Sequence, residues 1–302
     1  MPVDDDPEPG APPATGPASR VMTRRRVIVG GAVAAGAAVA GGWLAVERSA
    51  PVRRRLHAAG LLDGPDRPVP AGSSAGTVAY ARLDGPDGHR YPWGLWTPPG
   101  AAPSLCLVCL HAKGGDERFA FDALGVHRFV ADAGLPWAVA TIDGGTGYWH
   151  PRTDGTDPGG AVTGGLLPTV AGRLPGGLPF ALLGWSMGGY GALLLGPQSP
   201  DAVTAVVAAS PAVWTSFGDA APGAFDGGAD FRAHDVLAGA ADRAPEQPAR
   251  IDCGADDAFV GTSRRLLATV PGAAGGIHPG FHDEGTWRSF LPAQLRWLRS
   301  VT

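Results

Sequence analysis

The chain has 302 residues, 44% of them hydrophobic and only 17% charged, with a formal net charge of −4. This length and apolar content support a large core in one or two domains, and so weak a net charge does not point to nucleic acid or to a strongly charged partner. Three cysteines are too few for a disulfide scaffold.

Residues 1–20 are rich in Pro, Asp and Gly and carry no apolar periodicity, which predicts disorder. Thr23-Arg24-Arg25-Arg26 then precedes an uncharged, Ala- and Gly-rich stretch from Val27 to Val46. Paired arginines ahead of a mildly apolar segment resemble a twin-arginine export signal, with Ala38-Val39-Ala40 as a cleavage site. The protein is therefore expected to be exported or associated with the cell envelope. An uncleaved membrane anchor and a soluble Ala/Gly helix are the alternative readings. Arg53-Arg54-Arg55, just downstream, weighs mildly against export. Residues 47–76, rich in Pro, Gly and Arg, read as a linker, and residues 77–302 as the folded catalytic domain.

From Thr77 onward, strands and helices alternate. Thr77–Arg82 and Arg90–Trp96 predict a hairpin around Gly85-Pro86-Asp87-Gly88. Ser104–Leu110 predicts a buried strand; in it Cys106 and Cys109 face opposite sides and so cannot bridge. Helical spacing follows over Phe119–Ala133, then a strand over Trp137–Ile142 and a polar-aromatic loop from Asp143 to Gly160. A helix is expected over Ala161–Leu174, then strands at Phe180–Trp185, Val203–Ala209 and Ala249–Cys253. Between the last two lies a Gly/Ala/Asp-rich insertion from about Ser210 to Ala233. Phe259–Val270 reads as a helix, Gly275–His278 as a weak strand and Thr286–Val301 as an amphipathic closing helix. Such alternation points to an α/β fold with a mostly parallel central sheet and helices on both faces.

The most informative segment joins the strand at Phe180–Trp185 to a small-residue helix through Gly184-Trp185-Ser186-Met187-Gly188. Strand, Gly-x-Ser-x-Gly and helix in that order form a nucleophile elbow, a reversal so tight that the serine oxygen stands exposed at its tip. Gly184 and Gly188 lack the Cβ that would hold strand and helix apart. An attacking serine needs a base, and the base an orienting acid, which in this architecture follow in the order Ser, Asp or Glu, His. Asp257 lies three residues after the turn glycine Gly254 and is the favoured acid, with Asp256 and Asp252 as alternatives. One of the adjacent aspartates is also expected to cap the following helix. His282, in the loop before the last helix, is the favoured base; His278 competes from the strand end. Backbone N–H groups of Met187 and of Lys113, in Leu110-His111-Ala112-Lys113-Gly114-Gly115-Asp116, are the expected oxyanion donors. Tyr148 and Trp149, in the loop after the fourth strand, are expected to line the substrate pocket, with packing beneath that loop as the other reading. No spacing matches a cation-binding loop, so neither metal nor cofactor is expected.

Leu-His-x-x-Gly-Gly-Asp, Gly-Trp-Ser-Met-Gly-Gly-Tyr-Gly-Ala-Leu, Asp-Cys-Gly-x-Asp-Asp-x-Phe and Pro-Gly-x-His-x-x-x-x-Trp-Arg, in that order, resemble the putative esterase family. This is the branch of the α/β-hydrolase superfamily that includes esterase D, feruloyl esterases and bacterial mycolyltransferases, and the likeness runs from about Thr77 to the C-terminus. The resemblance implies the α/β-hydrolase fold and a serine carboxylic ester hydrolase with Ser186, Asp257 and His282 as its triad. It also implies small-molecule or lipid esters as substrates. Ala112 stands where the family usually has glycine, and its Cβ is expected to restrict the turn that aims the Lys113 donor. An acyltransferase of the mycolyl or diacylglycerol type and a silent hydrolase-fold surface protein are the competing functions.

Overall fold

The computed structural model describes residues 49–72, 76–100, 102–174, 176–244 and 246–302. The disorder expected for 1–20 and the export signal lie outside the described residues. The expected hairpin forms from β1 (Ala79–Asp84) and β2 (Arg90–Trp96), and β2 also pairs antiparallel with β4 (Trp137–Ile142). Beyond β4 every neighbour is parallel, through β3 (Leu105–Leu110), β5 (Phe180–Trp185), β6 (Val203–Ala209), β7 (Ala249–Gly254) and β8 (Ala274–His278). The eight-stranded sheet has the order β1-β2-β4-β3-β5-β6-β7-β8. Every residue of β3, β4 and β5 is buried, as strands covered on both faces require. Their unbroken apolar runs follow from that.

Two cores lie on opposite faces of the sheet. On one, Cys106, Val108, Leu182 and Val206 pack against Tyr190, Leu193 and Leu195 of α6 (Met187–Leu195). On the other, Leu107, Cys109, Leu183 and Trp185 meet Phe129 of α3 (Val126–Asp132) and Leu291, Leu295 and Leu298 of α9 (Glu284–Val301). Each fully buried leucine of α9 contributes about 1.5–3 kcal/mol relative to an exposed one. Cys106 and Cys109 belong to different cores and are free thiols, as is Cys253.

Three expectations need correction. The helix foreseen over Phe119–Ala133 is two helices, α2 (Phe119–Asp122) and α3, broken at Gly125. Gly125 has φ +64°, and a Cβ there would collide with Val69. The helix foreseen from Ala161 begins earlier: α4 (Pro158–Gly160) runs into a π-helical stretch, Ala161–Leu166, and then α5 (Leu167–Ala171). Finally, the stretch read as a linker contains α1 (Ala50–Ala58), which buries none of its residues fully. It docks through charged and polar side chains and one stacked histidine rather than through an apolar stripe, which is why hydrophobic periodicity does not reveal it. The insertion after β6 carries the short helix α7 (Gly228–Ala233), and α8 (Val260–Thr269) follows β7.

Candidate active site

Parallel strands send their carboxyl-terminal loops to one edge of the sheet, and the candidate residues gather there. Ser186 sits between β5 and α6 with φ +53° and ψ −114°, a conformation that costs an L-residue about 1–3 kcal/mol. Neighbouring backbone holds it. The Ser186 N–H donates to the Ala209 carbonyl at 3.0 Å, while its own carbonyl accepts from Tyr190 at 3.0 Å and Ala212 at 2.9 Å. A Cβ on Gly184 would collide with the Gly188 carbonyl, and one on Gly188 with the Leu110 carbonyl. Both positions therefore require glycine.

The Ser186 hydroxyl lies 2.9 Å from Nε2 of His282, and Nδ1 of His282 lies 2.8 Å from Oδ2 of Asp257. Asp257 is wholly buried, and its other oxygen accepts the Phe259 N–H at 2.7 Å. His282 is wedged between Trp287, with ring centroids 5.1 Å apart, and Phe259, at 5.3 Å. Hydroxyl, imidazole and carboxylate thus form one continuous hydrogen-bonded chain.

The alternative residues are engaged elsewhere. Asp256 takes both prongs of Arg53, at 2.8 and 2.5 Å. Asp252 binds Arg250 at 2.7 Å, His278 at 2.9 Å and Gln294 at 3.0 Å. Burial pushes the Asp252 carboxyl up, but the hydrogen bonds from His278 and Arg250 outweigh that and hold it below the usual carboxylate range. Neither adjacent aspartate caps α8, whose N-cap is Phe259 without a side-chain bond.

The His111–Gly115 turn has an order that spacing did not show. The Gly144 N–H donates to Nε2 of His111 at 3.0 Å, so the ring proton belongs on Nδ1, which donates to the Ala112 carbonyl at 2.8 Å. Gly115 N–H donates to the same carbonyl at 2.9 Å. A trans peptide points its N–H opposite its C=O, so this pair of bonds fixes the direction of the Lys113 N–H. Ala112 is absent from the positive-φ residues, so its Cβ meets no backbone penalty in this turn, contrary to the restriction expected from sequence. Met187, whose N–H is the other expected donor, is buried at the first position of α6. The Lys113 ammonium turns away to the Pro222 carbonyl at 3.1 Å.

Tyr148 and Trp149 are not in the cleft described below. Trp149 is wholly buried, and a Cβ on Gly144, Gly159 or Gly191 would strike it. It therefore packs beneath its loop, which corrects the pocket-lining expectation. Tyr148 joins Tyr190, Trp214 and Phe225 in an aromatic cluster, and burial pushes its hydroxyl up to about 12. Among the described residues one group has metal-ligating chemistry: His150, Asp230 and His234. The two imidazoles stack with centroids 4.4 Å apart and planes 19° from parallel, so a single ion cannot lie in both ring planes.

A cleft of about 820 Å³ opens on His282. Lys113, Gly114 and Trp287 line it together with His57, Leu62 and Pro65. The last three come from α1 and the segment after it, within the stretch whose composition reads as linker. His57 stacks on Phe281 with centroids 3.9 Å apart and bonds Asp283 at 2.6 Å, while Asp66 holds Arg288 at 2.7 Å.

Residues 160–298, which include the serine, aspartate and histidine, match the family model described as Putative esterase. No curated protein matches the chain significantly. Among solved structures, a ferulic acid esterase is 17% identical, with 76% of this chain and 100% of that chain covered at a TM-score of 0.64. An S-formylglutathione hydrolase from Agrobacterium tumefaciens is 15% identical, covering 76% and 97% at 0.62. A fluorophosphonate-binding serine hydrolase F from Staphylococcus aureus is 17% identical, covering 74% and 98% at 0.61. The fold is that of the α/β-hydrolases.

Proposed function

We propose that this α/β-hydrolase, with its match to an esterase family, is a serine carboxylic ester hydrolase that works through an acyl-enzyme on Ser186. The observation that carries the reading is the unbroken chain from the Ser186 hydroxyl through His282 to the buried Asp257. In the first step Ser186 Oγ attacks the ester carbonyl while His282 Nε2 takes its proton. Asp257, on Nδ1, fixes the tautomer and supports the positive charge of the ring. The Met187 and Lys113 N–H groups meet the oxyanion, and a donor of this kind contributes about 2.7–4 kcal/mol to the transition state. His282 then protonates the departing alcohol, and water activated by the same nitrogen releases the acid. Small-molecule esters are the substrates.

Were an alcohol to take the place of water in the second step, the same groups would deliver the acyl group to it. Product analysis with an added alcohol separates hydrolysis from acyl transfer. Arginines before the Val27–Val46 stretch support export as the destination, with that stretch as signal or anchor. The deciding experiment compares fluorophosphonate labelling and ester hydrolysis in wild type and Ser186→Ala. Both are expected in wild type and neither in the variant. A wild type inert to the probe would instead favour a silent scaffold.

A further inference from the structure

We propose that Arg53, on α1, is a positioning residue for the reaction, acting through Asp256 on the Asp257–His282 pair; the proposal rests on the reading of that pair given above. Arg53 lies 203 positions before its partner and upstream of the segment that matches the esterase family. Its guanidinium grips Asp256 with two hydrogen bonds, at 2.8 and 2.5 Å, and the two side chains are only 23% and 13% exposed. Such two-pronged contacts fix geometry as well as charge.

Asp256 is poorly placed to lose its cation. Its carboxylate is largely withdrawn from water, and a charge left there without a partner drives the surrounding loop to open toward solvent. The loop has little slack for that. The Asp256 N–H donates to the Gly280 carbonyl at 2.9 Å and the Ala255 N–H to that of His278 at 2.7 Å, so the acid-bearing and base-bearing loops are stitched together at Asp256. Asp257 is the next residue, and Arg54 from the same helix holds its carbonyl at 3.0 Å. On the other loop, His57 bonds Asp283, directly after His282, while Asp283 also caps α9 through Thr286 N–H at 2.7 Å. One short helix thus touches the neighbours of both the acid and the base. Displacing Asp256 moves Asp257 relative to His282 without removing any group that contacts substrate.

The test measures kcat, KM for an activated ester and Tm in the full chain, for wild type, Ser186→Ala, Arg53→Gln, Asp256→Asn, Arg53→Lys and the Arg53→Gln/Asp256→Asn pair. Arg53→Gln is expected to lower kcat by roughly ten- to a hundredfold, as small displacements at a reacting centre do, with KM held within about threefold. Arg53→Lys keeps the charge but not the fork, and falls between. The double variant recovers part of the loss, because no carboxylate is then buried without a cation. A folded Arg53→Gln with kcat within about twofold of wild type overturns the proposal, as does a loss confined to Tm. If Arg53→Gln does not fold, the same readings on Arg53→Lys decide. A wild type without Ser186-dependent hydrolysis defeats the esterase reading and this proposal with it; an active wild type indifferent to Arg53 defeats this proposal alone.

Discussion

Gly188→Ala tests the elbow as a packing device. Gly188 is the second residue of α6, and a methyl group there would collide with the Leu110 carbonyl and lie 2.8 Å from the carbonyl oxygen of His111. Both obstacles are main chain, so no rotamer change relieves them. Carbon–oxygen contacts settle at about 3.3–3.6 Å, so relieving the tighter contact, with the Leu110 carbonyl, requires α6 to withdraw from β3 by roughly 1.5 Å. Ser186 and Met187 lie at that end of the helix and move with it. A shift of that size takes the Ser186–His282 separation from 2.9 Å beyond hydrogen-bond reach. Misplacement on this scale costs about a hundredfold in rate, and the overpacking costs about 1–3 kcal/mol of stability. The assay is kcat/KM on an activated ester with urea unfolding alongside. Gly261→Ala serves as control: it is exposed, within α8, with nothing near its added methyl group, and is expected to leave activity unchanged. A Gly188→Ala enzyme with wild-type kcat/KM would show that strand and helix can part without disturbing the serine, and would refute the argument.

Two further outcomes follow from buried side chains. Trp149→Ala is expected to destabilise the fold by about 3–5 kcal/mol in urea, because the wholly buried indole leaves a cavity that backbone at Gly144 and Gly191 cannot fill; a selective rise in KM without loss of stability would restore a pocket role to the residue. Asp252 is held below the usual carboxylate range in the folded state, so its contribution is complete above the ordinary value of about 3.9 and disappears as pH falls through the lowered folded value. The Asp252→Asn variant is accordingly expected to lose less stability than wild type on acidification below about pH 4, by thermal melts across that range. Parallel acid limbs for the two proteins would count against the His278–Arg250–Asp252 cluster as the source.

How far the sequence reached depends on the range of the interactions concerned. The hairpin, the buried strands and the elbow were legible because each is written in consecutive residues: a Gly-Pro-Asp-Gly turn, unbroken apolar runs, a glycine on either side of Ser186. The split at Gly125 was not, since a glycine inside a helical pattern has the same sequence whether the helix runs through it or ends there, and the Val69 side chain that bars a Cβ at that position comes from a distant segment. Nor could spacing show that Trp149 turns inward, because a loop tryptophan beside glycines has the same sequence whether it faces core or cleft. Asp256 and Asp257 are neighbours of identical chemistry, and the spacing from Gly254 favours Asp257 without excluding Asp256. Only the folded loop separates them, sending one carboxylate to Arg53 and the other to His282. The helix at Ala50–Ala58 is the extreme case: without an apolar stripe it looks like linker, and its place comes from ion pairs and backbone contacts to residues more than 200 positions away. Sequence by itself determined the α/β alternation and the strained turn at Ser186, because propensity and local sterics act over a few residues. Which charges meet, which rings are buried and which segment walls the cleft were decided by tertiary structure, because those depend on distances that exist only once the chain has closed on itself.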